Sequence, residues 1–203
     1  MDHEDNLLAR HLRIESGTSG RIPEDGPPRF RGRSYPLKPL VCLYEAPNLP
    51  TIPLPPGLSE KYGGQLAIPD GAVYANFVSS IDGIAALEGG RAASGGIISG
   101  RNQADRFVMA LLRAFAEAVV VGAGTVRAEG RAAMWTPGFV FPAAADDFRA
   151  LRHSLKRAPE PRLVIITARG NLNPSARALL EGALVLTTEV GAAGLKNSLP
   201  AST

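Results

Sequence analysis

The residues best suited to chemistry gather in a few short stretches. Gly122-Ala123-Gly124-Thr125 follows an apolar run and precedes a helical pattern. Glycines there let a ligand approach the backbone, and free N–H groups at a helix start can hold phosphate. Thr125 adds a hydroxyl donor and Arg127 a positive charge. The spacing is Gly-x-Gly-Thr without a third glycine, so it is not the dinucleotide fingerprint, and it serves a structural turn as readily as a phosphate. Asp82 sits in Ser79-Ser80-Ile81-Asp82-Gly83, after a strand-like run. Ligands of open α/β sheets bind beyond the carboxyl ends of strands, yet a carboxylate beside glycine also suits a plain turn. Glu88 and Glu129 are loop carboxylates with the same two readings. Arg113, two positions before Phe115, lies near the edge of an apolar helix face. It can reach a phosphate or extend into water along that face.

Several chemistries are excluded. His3, His11 and His153 are far apart and Cys42 is the sole cysteine, so neither a metal site nor an intramolecular disulfide is expected. There is no Gly-x-Ser-x-Gly elbow, no Gly-Lys-Ser/Thr loop and no zinc-deaminase Pro-Cys-x-x-Cys. The net charge is only +3, from 22 basic and 19 acidic residues. Arg29, Arg31 and Arg33 are the densest basic stretch, set among glycine and proline. A nucleic-acid partner is not expected from that pattern. No apolar run of membrane-spanning length and no secretory leader pattern occurs, so the expected location is cytoplasmic, without a membrane partner.

The elements that must position these residues are legible by period. Residues 1–35 carry six acidic and six basic residues and few large apolar ones, and read as a disordered leader. Residues 36–70 are rich in proline and glycine and read as an extended segment packed on the domain, with room for one helical turn at Leu58–Tyr62. The folded part is expected over 71–203. Val73–Ser80 has strand composition. Phe107, Leu111 and Phe115 recur every four residues, predicting a helix over 101–117 with Ser99 as its cap. Ala118–Val121, Leu163–Thr167 and Ala183–Thr187 read as buried strands, the first covered on both faces. A helix is expected over 145–156, and another capped by Asn173 with Pro174 at its first position. Alternation of strands and helices predicts an α/β fold with a largely parallel sheet of four strands flanked by helices.

Together these blocks resemble the reductase domain of riboflavin biosynthesis, the C-terminal half of bifunctional deaminase-reductases. The matching residues are Ala75-Asn-Phe-Val-Ser-Ser-Ile-Asp-Gly83, the loop ending at Ser99, Leu112-Arg-Ala114 and Val120-Val-Gly-Ala-Gly-Thr-Val-Arg-Ala-Glu129. Leu54-Pro-Pro-Gly-Leu and Tyr62-Gly-Gly resemble the leader of free-standing members. The resemblance covers roughly residues 50–190. It implies a dihydrofolate-reductase-like fold and reduction, by NADPH, of the ribosylamino group of a phosphorylated pyrimidine. It places Gly96, Gly122, Ala123, Gly124, Thr125 and Glu129 at the cofactor, and Ser79, Ser94 and Arg113 at the substrate. Asp82 takes the catalytic position, ordering substrate or loop, and a homodimer is implied. Trp135, just after the cofactor loop, is expected to report a bound nicotinamide.

Three departures accompany the likeness. Gly96 stands at a position often aromatic in the family. Gly130-Arg-Ala-Ala-Met-Trp135 replaces the usual Asp-Pro-x-Leu-Thr-x-Arg, and no Glu-Gly-Gly-Pro block occurs before Thr203. The domain is therefore expected to be incomplete at its C-terminus. The alternatives are a non-catalytic NADP-binding or subunit-pairing fragment, and a dihydrofolate-type reductase on the same fold.

Overall fold

A computed structural model describes residues 37–69, 71–85, 94–195 and 199. The leader over 1–35 therefore lies outside the described residues. Two compact units divide at Val73/Tyr74.

In the first unit, β1 (Thr51–Ile52) pairs antiparallel with β2 (Leu66–Ala67) around α1 (Pro56–Tyr62). The helical turn expected at Leu58–Tyr62 within this stretch is thus a helix of about two turns, begun two residues earlier. Proline at its first position explains why it starts there, since the missing N–H would be unpaired anyway. Gly63 ends it in the left-handed region, φ 79°, donating its N–H to Ser59 O at 2.9 Å. A Cβ on Gly63 would collide with the carbonyl of Leu40, so only glycine fits.

The second unit holds a parallel sheet in the order β3 (Ala118–Gly122), β4 (Arg162–Thr167), β5 (Leu184–Thr187). Val120 lies opposite Val164, and Ile166 opposite Leu186. Val119, Val121, Leu163, Ile165 and Val185 face a core of Ala123, Val126, Ala133, Trp135, Ala178 and Leu179. The last two belong to α7 (Arg177–Leu180). The other face is partly bare: Val120 is 59%, Ile166 51%, Leu184 46% and Leu186 49% exposed, while Val164 between them is buried. Burial of β3 on both faces is thus corrected. The valine run lacks alternation, yet its exposure alternates along the strand.

A helical layer forms a separate apolar centre. In α3 (Gln103–Phe115), Phe107 and Leu111 are buried, as their four-residue spacing predicts. Phe107 meets Phe141 edge-on at 5.6 Å and stacks on Phe148 at 6.4 Å. Those rings belong to α6 (Ala145–Ser154) and to the turn after α5 (Pro137–Val140). Arg152 of α6 is 2% exposed and donates to the carbonyls of Ala114, Ala116 and Ala158 at 2.9, 2.6 and 2.6 Å. It ties both helices to the turn entering β4.

Three further expectations are corrected. Asn102, not Ser99, caps α3, its side chain accepting from Ala104 N at 2.8 Å. Asn173 caps only a turn, through Ser175 N at 3.0 Å, and α7 begins at Arg177. Residues 72–80 form no regular element and join no ladder, so among the described residues the parallel sheet has three strands rather than four. Phe77 and Ile81 are accordingly exposed. After β5 a final helix, α8 (Glu189–Leu195), leans on the turn following β4.

Candidate active site

The glycine turn of the candidate site lies at the carboxyl end of β3 and is built by one abrupt transition. β3 ends at Gly122, whose φ of −79° and ψ of 149° are still extended, and α4 (Ala123–Glu129) starts at the next residue. Ala123 and Val126 turn into the core, which leaves Gly122, Gly124 and Thr125 on the solvent side. No positive φ demands glycine at 122. A Cβ there would meet nothing within 4 Å, and one on Gly124 would meet only the tip of Arg127 at 3.9 Å. The chain's own packing does not require these glycines, so the open backbone suits an external ligand. Gly96, in α2 (Ser94–Ile98), has the same open space.

Arg127 is engaged through one of its donors: Nη1 donates to Asn171 O at 2.9 Å, pinning the turn after β4 to α4. That turn is held further by Thr167 Oγ1, which accepts from Gly170 N at 3.2 Å, and by Thr188 Oγ1, which donates to Ala168 O at 2.7 Å. Gly170 (φ 68°) and Gly191 of α8 pass so closely that a Cβ on Gly170 would strike the Gly191 carbonyl, and one on Gly191 would strike Thr187 Oγ1 and crowd Gly170 N. Sequence reasoning missed this rim. Its only signal is a threonine at, or just after, the carboxyl end of β4 and of β5.

Arg113 on α3 is half-buried, and among the described residues no hydrogen bond engages its guanidinium. Burial lowers its pKa to about 10, and the charge of Glu129 acts to raise it. Glu129, placed by resemblance at the cofactor, thus supports the cation placed at the substrate. The guanidinium remains charged at neutral pH, and its fork of donors suits phosphate.

Asp82 lies in an exposed turn closed by Gly83 N donating to Ser80 O at 2.9 Å and Ile84 N to Ser80 Oγ at 3.1 Å. Ser80 Oγ also donates to the Asp82 carboxylate. Ser79 is exposed beside it. Val78 packs at Gly95, 3.5 Å from where its Cβ would stand, which brings this segment to α2 and so near Gly96. Ser94 begins α2, and its side chain lies outside the described residues, as does Glu88. Two groups result: Gly122, Ala123, Gly124, Thr125 and Glu129 on α4 and its entry, with Arg113 linked to them only through the charge of Glu129, and a second of Ser79, Asp82, Ser94 and Gly96. No hydrogen bond or ion pair joins the two groups among the described residues.

A parallel sheet flanked by helices, with a glycine-opened strand-to-helix turn at its carboxyl end, defines a layered α/β domain. The family model described as the RibD C-terminal domain matches residues 72–197, and the chain belongs to that family, with its dihydrofolate-reductase-like fold. No curated protein matches the chain. Among the described residues no helix is long and apolar enough to cross a membrane.

Proposed function

We propose that the chain is an NADPH-dependent reductase of the ribosylamino group of a phosphorylated aminopyrimidine. Membership of the RibD C-terminal domain family carries this reading. The open glycines at 96, 122 and 124 fit the cofactor, because they leave backbone uncovered where a phosphate would lie. When bound, NADPH supplies the hydride that goes to the ring-opened ribose carbon. The residues of this chain bind and orient: Thr125 donates to a cofactor phosphate, and Arg113 grips the substrate phosphate. Glu129 contacts the cofactor while its charge favours the Arg113 cation, and Asp82 orders the Ser80 turn beside the substrate.

The test is NADPH oxidation followed by absorbance, with the aminopyrimidine ribose phosphate and, separately, with dihydrofolate. Turnover with the first alone supports the proposal, and turnover with dihydrofolate assigns the chain to folate-type substrates. A second reading, a subunit-pairing NADP-binding chain without turnover, draws on the bare sheet face and the exposed Phe77 and Ile81. Saturable NADPH binding in calorimetry, with no oxidation at high protein concentration, would favour it.

A further inference from the structure

Where α4 ends, a cleft of about 150 Å3 opens between the turn at Gly130 and the loop that follows β4. Val126, Arg127, Gly130, Arg131, Asn173 and Ala176 line it. It falls below the range of pockets for drug-sized ligands, roughly 300–1,000 Å3, and so takes a single small group. Val126 and Ala176 are buried and form its apolar side. Gly130, at φ 85°, turns the chain so that Arg127 and Arg131 line the same space.

The polar groups left over in this cleft are donors. Arg127 uses Nη1 on Asn171 O, and its Nη2 stands 3.9 Å from where a Cβ on Gly124 would lie, at the edge of the glycine turn. No hydrogen bond or ion pair engages the Arg131 guanidinium among the described residues. The side-chain oxygen of Asn173 accepts from Ser175 N at 3.0 Å, which fixes the amide and leaves its NH2 to donate elsewhere. The acceptors around the cleft are taken. Asn171 O bonds Arg127, Asn173 O accepts from Ala176 N at 2.9 Å, and Arg131 O from Arg177 N at 2.8 Å. No carboxylate lines the space: Glu129 acts on Arg113, and Glu181 bonds Arg177 at 2.5 Å. Two guanidinium forks and an amide offer more donors than the roughly four lone-pair sites of a carboxylate. They suit a tetrahedral oxyanion with three free oxygens.

We infer that this cleft is a site for a phosphate monoester group, held by Arg127, Arg131 and Asn173. The site does not depend on turnover. Where the reductase reading holds, the 2′-phosphate that distinguishes NADPH from NADH is one source of the group, and free phosphate is the other. Trp135, 5% exposed in the core of the sheet, does not line the cleft, so the readout comes from the cleft itself. Titration of the full chain with inorganic phosphate should saturably shift the Gly130 amide and the Arg127 Nε–H in proton–nitrogen spectra. Chloride at the same ionic strength should not. Arg127→Gln should weaken phosphate at least tenfold, and Arg131→Gln at least fivefold. Arg127 also holds Asn171, so if Arg127→Gln does not fold, the exposed Arg131 carries the comparison. Arg162→Gln, at an exposed position outside the cleft, should leave the affinity unchanged. Displacement of phosphate by NADP+ but not by NAD+ assigns the site to the cofactor, and retention against both assigns it to free phosphate. Displacement by both, no saturation by folded protein, or equal losses in Arg131→Gln and Arg162→Gln would overturn the inference.

Discussion

A half-buried guanidinium such as Arg113 costs stability while it waits for a ligand, because burial disfavours the charged form. Its folded pKa lies below its ordinary value, so the cost is present at neutral pH and relieved only above about 10. Arg113→Met should therefore leave the urea midpoint unchanged or raised, while KM for the phosphorylated substrate rises at least tenfold. Loss of both would make Arg113 a structural residue. Arg152 predicts the reverse. Its three donated bonds satisfy buried carbonyls, so Arg152→Met should cost about 1.5–3 kcal/mol in urea denaturation. Tyr74 offers a pH test. Burial raises its phenol to about 12, and its hydroxyl donates to Leu112 O at 2.6 Å. A folded pKa above the unfolded value near 10 makes this contribution full below pH 10 and lost as pH climbs towards 12. Tyrosinate absorbance should show one delayed component that disappears in Tyr74→Phe. None of these three environments was legible in sequence. Arg113 and Arg152 look alike as letters on helices, and only the carbonyls beyond a helix's end tell them apart.

At the scale of elements, period was a sound guide to what packs and a poor one to what caps. The Phe107–Leu111–Phe115 stripe is a property of one helix, so its burial could be read locally. The cap of α3 depends on where the chain bends, and Arg101 at φ 57° moves that bend three residues past Ser99. Asn102→Ala should cost about 0.5–2 kcal/mol, with Ser99→Ala leaving the helix start unchanged. Strand assignments show the same division. β4 and β5 have neighbours and pair, whereas Val73–Ser80 has strand composition and no described partner. Composition gives a strand's sides, but a ladder needs a second strand. On β4 the two faces make opposite predictions. Ile165 is fully buried, and Ile165→Ala should cost about 2–5 kcal/mol. Ile166, half exposed beside it, should cost well under half of that. Equal losses in thermal or urea unfolding would mean that the second face is covered in solution.

For the whole molecule, the two faces of the sheet set different tasks. The inner one closes on the core that carries α4 and its glycine turn, while the outer one exposes Val120, Ile166, Leu184 and Leu186 around a buried Val164. Contiguous apolar surface of this kind marks contact surfaces. If it pairs subunits, sedimentation should show concentration-dependent association that Leu186→Lys abolishes. A monomer at all concentrations would leave the face without that role. The carboxyl end of the sheet carries a last consequence, in the crossing of Gly170 and Gly191. Two backbones touch there, and the fit depends on side chains that neither position has. In a saturation library both codons should tolerate a single letter, although neither touches a reactant. The rim of the site is thus keyed by what is left out, and a methyl group at either position would prise α8 from the sheet and spread the mouth that it borders.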